Sequence, residues 1–176
     1  MQQSFIILQM LIPKVAAKKL RIGWFSFTCC EDSTMIWIEL MNDNFFKWKG
    51  LLDIRHAKVL KRKNRLDNLD VAFVEGAITT EPDAKMLRSI REHSKRVVAI
   101  GSCAINGMPA AQRNVFNDEL KKEIEFLIRR FKQTDRVRTV KEVVQVDDEI
   151  PGCPMVEASF LQVLDRYLKE FGVTNA

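Results

Sequence analysis

The sequence predicts an open, mostly parallel α/β sheet with helices on both faces. Two observations carry this. Short, near-continuous apolar runs recur along the chain, as strands buried on both faces require. Segments of helical periodicity separate them, the order that βα units produce. The elements arrive as strand, helix, strand, strand, helix, strand, helix, extended segment and helix. That succession is flavodoxin-like in size and order. No repeat, low-complexity tract or linker interrupts it, so residues 20–176 are expected to form a single domain behind an N-terminal extension over 1–19.

Each element has its own signal. "LRIGWFSF" (20–27) is a buried strand with a basic entry and a polar exit. Over 33–48, Met35, Ile36, Ile38, Leu40, Met41 and Phe45 recur at helical spacing, and Ser33 or Asp32 is the candidate cap. "DIRHAKVL" (53–60) alternates as a strand does, and "LDVAFVEG" (69–76) is a second apolar strand ending at a glycine. A helix follows over 81–94, with proline and acids in its first turn. "RVVAIGSC" (96–103) is a buried strand that ends in Gly-Ser-Cys. Residues 117–133 form an amphipathic helix. The segment 137–154 starts extended and ends in a turn, and 154–172 is the closing helix, with Gly172 past its end.

Bulk properties narrow the function. The chain has 176 residues, 47% apolar and 29% charged, as an ordinary globular protein does. The net charge of +5 comes from short basic runs at 18–19, 58–65 and 129–138. With 9% aromatic residues and no stacking motif, it does not point to nucleic acid. "SFIILQMLIP" is too short for a membrane span, its positive charges follow rather than precede it, and no twin-arginine pair lies ahead of it. A cytoplasmic protein without a direct membrane span is expected. No G-x-G-x-x-G or P-loop marks a nucleotide site.

The four cysteines carry the chemistry. They are too few for a disulfide scaffold. Cys29 and Cys30 are adjacent, and neighbouring cysteines rarely bond to each other. The pair follows the first strand, Cys103 follows the "VVAIG" strand, and Cys153 lies in the turn "IPGCP". Ligands of such sheets bind outside the carboxyl ends of the strands. The topology therefore brings at least three of these thiols to one edge, with Glu75 at the end of another strand there. Three readings are open on spacing alone: buried structural thiols, a zinc ion, or an iron–sulfur cluster. Zinc usually takes C-x-x-C knuckles, which this chain lacks. His56, His93, Trp24, Trp37 and Trp48 read as packing residues, Arg113 as structural, and 58–65 as a solvated basic loop.

Four segments together resemble the small-subunit family of [NiFe]-hydrogenases and the homologous cluster-N2 subunit (20 kDa) of respiratory complex I. They are "TCC", "EGAI", "AIGSCAINGMPAAQRN" and "VVQVDDEIPGCP". The resemblance runs from about residue 20 to 170. It implies that 20–176 is a single flavodoxin-like iron–sulfur domain carrying one [4Fe–4S] cluster, held by Cys29, Cys30, Cys103 and Cys153. Hydrogenase members usually have C-x-x-C in the first loop, so here Ser33 stands where a second cysteine would be. The tandem cysteine is instead similar to the complex I subunit. A variant leaves Cys29 free and uses Ser33, Asp32 or Glu31 as fourth ligand.

The implied function is electron transfer. As a hydrogenase small subunit the chain would exchange electrons with a NiFe centre in a separate large subunit, and pass them to a further electron-acceptor protein. It would carry no catalytic residue of its own and be inactive alone. Glu31 and Glu75 are the candidate proton-path or interface acids. The alternative is a cluster-N2-type subunit of a complex I-like quinone oxidoreductase. A third expectation, a zinc-binding or metal-free interaction protein, predicts a colourless chain.

Overall fold

The structure, a computed structural model, describes residues 18–175. The N-terminal extension expected over 1–19 lies outside the described residues except for 18 and 19. Five strands form one sheet in the order β2-β1-β3-β4-β5, with every neighbouring pair parallel. They are β1 (Leu20–Ser26), β2 (Leu52–Ala57), β3 (Leu69–Glu75), β4 (Ser94–Ile100) and β5 (Asp148–Ile150). The helices are α1 (Asp32–Asp43), α2 (Phe45–Leu51), α3 (Glu81–Glu92), α4 (Gly101–Asn106), α5 (Asp118–Arg130) and α6 (Glu157–Glu170). Two 3₁₀ turns, Ala110–Val115 and Val140–Glu142, complete the chain. The expected α/β architecture is the one observed.

Period-2 alternation splits the sheet's side chains between two cores. Leu20, Ile22 and Trp24 of β1, with Val71 and Phe73 of β3, pack against Trp37, Trp48 and Phe160 from α1, α2 and α6. Phe25, Leu69, Ala72 and Val74 face the other side, against Ala84, Leu87 and Ile90 of α3. Every residue of the central strand β3 is buried, which is why its sequence is a continuous apolar run.

Four boundaries differ from expectation for identifiable reasons. The helix expected over 33–48 breaks at Asn44, whose side-chain Nδ2 donates to the Leu40 carbonyl (3.0 Å) after the helix-weak run Asn42-Asp43. Neither Ser33 nor Asp32 caps α1. Its N-cap is Glu31, in left-handed backbone (φ 64°), and Ser33 lies inside the helix. The strand read over 96–103 stops at Ile100, and Gly101 opens α4. The extended segment contains β5, a three-residue edge strand paired with β4.

The amino ends of the strands are tied by one carboxylate. Asp70 accepts from Arg21 Nε (2.8 Å), Arg21 Nη2 (2.6 Å) and Lys95 Nζ (2.9 Å). Burial alone would raise its pKa, but the bonds from Arg21 and Lys95 outweigh it and hold the carboxyl at about 2. A depressed carboxyl stabilises the fold above the unfolded pKa and loses that contribution as pH falls through the folded value. Asp70→Asn is expected to cost about 2 kcal/mol at pH 7. The gap to wild type should close as pH falls from about 4 to about 2. Urea titrations of both proteins across that range check it, and a gap that does not narrow would assign the loss to packing rather than charge.

Candidate metal centre

The cysteine-bearing loops all leave the carboxyl edge of the sheet. After β1, Phe27 N donates to Glu75 O (2.8 Å), and Thr28 pairs with Ala77 in an antiparallel bridge. The Thr28 and Thr79 hydroxyls meet at 2.7 Å. This pins the chain just before Cys29 and Cys30, and the left-handed Glu31 then turns it into α1. Cys103 is carried in the first turns of α4, and Gly107 N bonds its carbonyl (3.0 Å). Cys153 follows β5, where the Cys153–Pro154 peptide is cis.

Two glycines let the second and third loops meet. Gly152 has φ 117°, and a Cβ there would lie 2.3 Å from the Pro154 carbonyl oxygen. Gly101 has φ 78°, and a Cβ would come within 3.2 Å of Ser33 Oγ and 3.4 Å of Gly152 O. At Gly152 any other residue would force backbone to move, and at Gly101 the positive φ disfavours one. In return, Ser102 N donates to Gly152 O at 2.8 Å.

Cys30, Cys103 and Cys153 line one cleft, together with Glu75, Ser33 and Asp32. Cys103 is buried, whereas Cys30 and Cys153 are exposed. The cleft is narrow, about 10 Å³, room for roughly one water. Among the described residues, no three His, Cys, Asp or Glu side chains are grouped to hold a metal ion. Cys29 does not line the cleft. It is half-buried, and its Sγ lies 3.7 Å from the Phe27 carbonyl. Burial first, then the nearby Glu75 carboxylate, push its thiol up to about 12. The Cys103 thiol is also raised, by burial and then by Cys30 and Cys153.

Glu75 organises this edge. It is 3% exposed. Its Oε1 accepts from Ser33 N (3.1 Å), and its Oε2 from the Thr34 hydroxyl (2.6 Å). Thr34 Oγ1 in turn accepts from Trp24 Nε1 (2.8 Å). Burial raises the carboxyl's pKa, opposed by these two donors. The Ser33 hydroxyl accepts from Met155 N (3.2 Å), tying α1 to the Cys153 loop. Glu31 stands apart from the cleft and lines a neighbouring cavity with His56 and Lys58.

Residues 29–167 match the family described as NADH ubiquinone oxidoreductase, 20 kDa subunit. The chain belongs to that family. Its relatives include the sulfhydrogenase 2 subunit delta of Pyrococcus furiosus, 27% identical over 82% of this chain and 60% of the relative. A chain of the F420-non-reducing hydrogenase vhu of Methanococcus voltae is 26% identical over 78% of this chain and 52% of its own length. The chain thus spans little more than half of these two relatives. It covers 82% of the NAD-reducing hydrogenase HoxS subunit delta of Cupriavidus necator, at 24% identity. A solved NAD⁺-reducing [NiFe]-hydrogenase chain shares the fold, with a TM-score of 0.75 at 23% identity over 87% of this chain and 93% of that one.

For this 20 kDa-subunit relative, sequence reasoning located the edge and the three cleft thiols. It missed Thr34, whose hydroxyl links Trp24 to Glu75. A threonine four residues past the tandem cysteine, at the point where the polar helix start Asp32-Ser33 gives way to apolar residues, was the available signal. It also missed the Ser102 amide as a donor to the Cys153 loop.

Proposed function

We propose that this chain is the electron-transfer small subunit of a [NiFe]-hydrogenase, acting in the cytoplasm with a separate large subunit that holds the NiFe centre. The observation that carries this is the meeting of Cys30, Cys103 and Cys153 in one cleft of a chain whose relatives are named as hydrogenase subunits. Cys30, Cys103 and Cys153 would hold one [4Fe–4S] cluster, with Cys29, adjacent to Cys30, as the fourth thiolate. That cluster would supply one-electron chemistry. The protein's own part is to place thiolates, admit backbone through Gly101 and Gly152, and hold α1 in place through Glu75.

Met35 (55%) on α1 and Val156 (47%), three residues past Cys153, are exposed apolar side chains. They fit a surface that a large subunit covers, with Glu31 as the interface acid. Among the described residues no helix is long and apolar enough to cross a membrane.

A second reading is favoured by the tandem Cys29–Cys30 and by the family's description: a cluster-N2-type subunit of a complex I-like quinone oxidoreductase. Metal analysis of the chain, purified anaerobically with the proteins it assembles with, separates the two. About four iron and four acid-labile sulfides per chain, with nickel in the same sample, is the expected result. Iron and sulfide without nickel would favour the quinone reading. A folded, colourless chain would sink both.

A further inference from the structure

α5 is the element whose construction the function above leaves unused. None of its residues is buried. Yet Leu120, Ile124, Leu127, Ile128 and Phe131 recur at the spacing of one helical face. Leu120 and Leu127 are each 40% exposed and Phe131 61%. A helix of this length is marginal in water without packing. Local devices hold its ends: the Asn117 side chain accepts from Leu120 N (2.9 Å), acids occupy the first turn, and Arg129 and Arg130 the last. Those devices keep the helix wound but do not cover its apolar face.

An open groove runs beside α5, between it, the 3₁₀ turn Ala110–Val115 and residues 135–136. Arg113, Lys121, Lys122, Arg129 and Arg136 line it with the acids Asp118, Glu125 and Asp135, so cations are in excess, and Arg113, Lys121 and Lys122 have no carboxylate in salt-bridge range among the described residues. Arg129 and Arg136, in contrast, pair with Glu125 and Glu142. Arg113 Nη2 donates to Thr134 O (2.8 Å), but its Nη1 is buried with no partner in the protein. The groove is tied to the cysteine-bearing edge through the chain. The 3₁₀ turn follows α4, which carries Cys103, and Thr134 N bonds Thr79 O on the loop after Glu75.

We propose that α5 and the 3₁₀ turn before it form a docking groove for an acidic, apolar-faced segment of a partner protein. Its apolar side chains cover Leu120, Ile124, Leu127 and Ile128. Its carboxylates meet Lys121 and Lys122. A second copy of this chain is a poor occupant, because a two-fold contact sets two surfaces of net positive charge against one another. The proposal holds whether or not the cysteines carry a cluster.

Lysine footprinting tests it. The full chain, tagged at its C-terminus, is purified with whatever proteins assemble on it and is acylated by an N-hydroxysuccinimide ester, beside the isolated chain. Lys121 and Lys122 are expected to react about fivefold more slowly in the complex, and Lys58 and Lys63 on the other basic loop at an unchanged rate. Carbodiimide should join Lys121 or Lys122 to a net-negative peptide of another protein. Lys121→Glu/Lys122→Glu should cut the amount of that protein that co-purifies with the chain about tenfold while iron per chain stays the same. Equal acylation in complex and isolated chain would overturn the proposal. So would cross-links to a second copy of this chain, or protection that disappears on nuclease treatment.

Discussion

Cys103→Ser is expected to strip the purified protein of essentially all iron and acid-labile sulfide, with little change in its far-UV circular dichroism. Cys103 is the buried thiol of the cleft, on a helix clamped to β5's loop through Ser102 and Gly152. It has the least freedom to be replaced by a neighbour. Cys30→Ser and Cys153→Ser should each lose most of the iron. The informative pair is Cys29→Ser and Ser33→Ala. Cys29 starts outside the cleft, while the Ser33 hydroxyl lines it but is already engaged by Met155 N. If Cys29 is the fourth ligand, Cys29→Ser loses iron, and Ser33→Ala keeps it at a cost of about 1 kcal/mol in stability. Iron kept in Cys29→Ser and lost in Ser33→Ala would move the fourth ligand to the serine. Full iron in Cys103→Ser would refute the cleft as the cluster's site.

Trp37→Ala is expected to destabilise the fold by about 4 kcal/mol. Trp37 is fully buried in α1, stacked on Trp24 of β1 with ring centroids 4.5 Å apart and planes within 2°. Its removal opens a cavity between α1 and the sheet and frees the helix whose start carries Ser33 and Thr34. Trp37→Phe is expected to cost far less, about 1 kcal/mol, because the ring contact survives and the indole N–H it deletes has no partner. Denaturant titration of both variants checks the contrast. Equal losses would mean that ring size rather than stacking decides this side of the core.

The sheet was legible because its strands are buried on both faces. "LDVAFVE" and "RVVAI" have no polar face to obscure their period, and both are strands in the structure. β5 was not legible as a strand, because an edge position lets Asp148 and Glu149 stay in water and leaves only Ile150 buried. The α1–α2 break was written in "MNDN", but apolar spacing continued across it and hid it. At the site, the strand ends and the order of the cysteines carried the convergence of Cys30, Cys103 and Cys153. The side-chain direction of Cys29 was not readable, since it depends on the left-handed turn at Glu31, a conformation that no glycine announces. Glu75 was readable as an acid at a strand end. Its partners in α1, Ser33 and Thr34, were not, because they depend on how that helix abuts β3.

The strand order also sets when the site can exist. The cleft's thiols leave β1, β4 and β5, and β5 lies at the far edge of the sheet, beyond β3 and β4. Cys153 has its place only after β4 has found β3 and β5 has joined β4. A nascent chain emerging from its amino end therefore displays the tandem cysteines long before the sheet that completes their surroundings. Any metal delivered during synthesis would meet one loop rather than a site. On the proposed reading, a cluster would be built only on a chain that has already finished folding, so colour would serve as a readout of completed architecture.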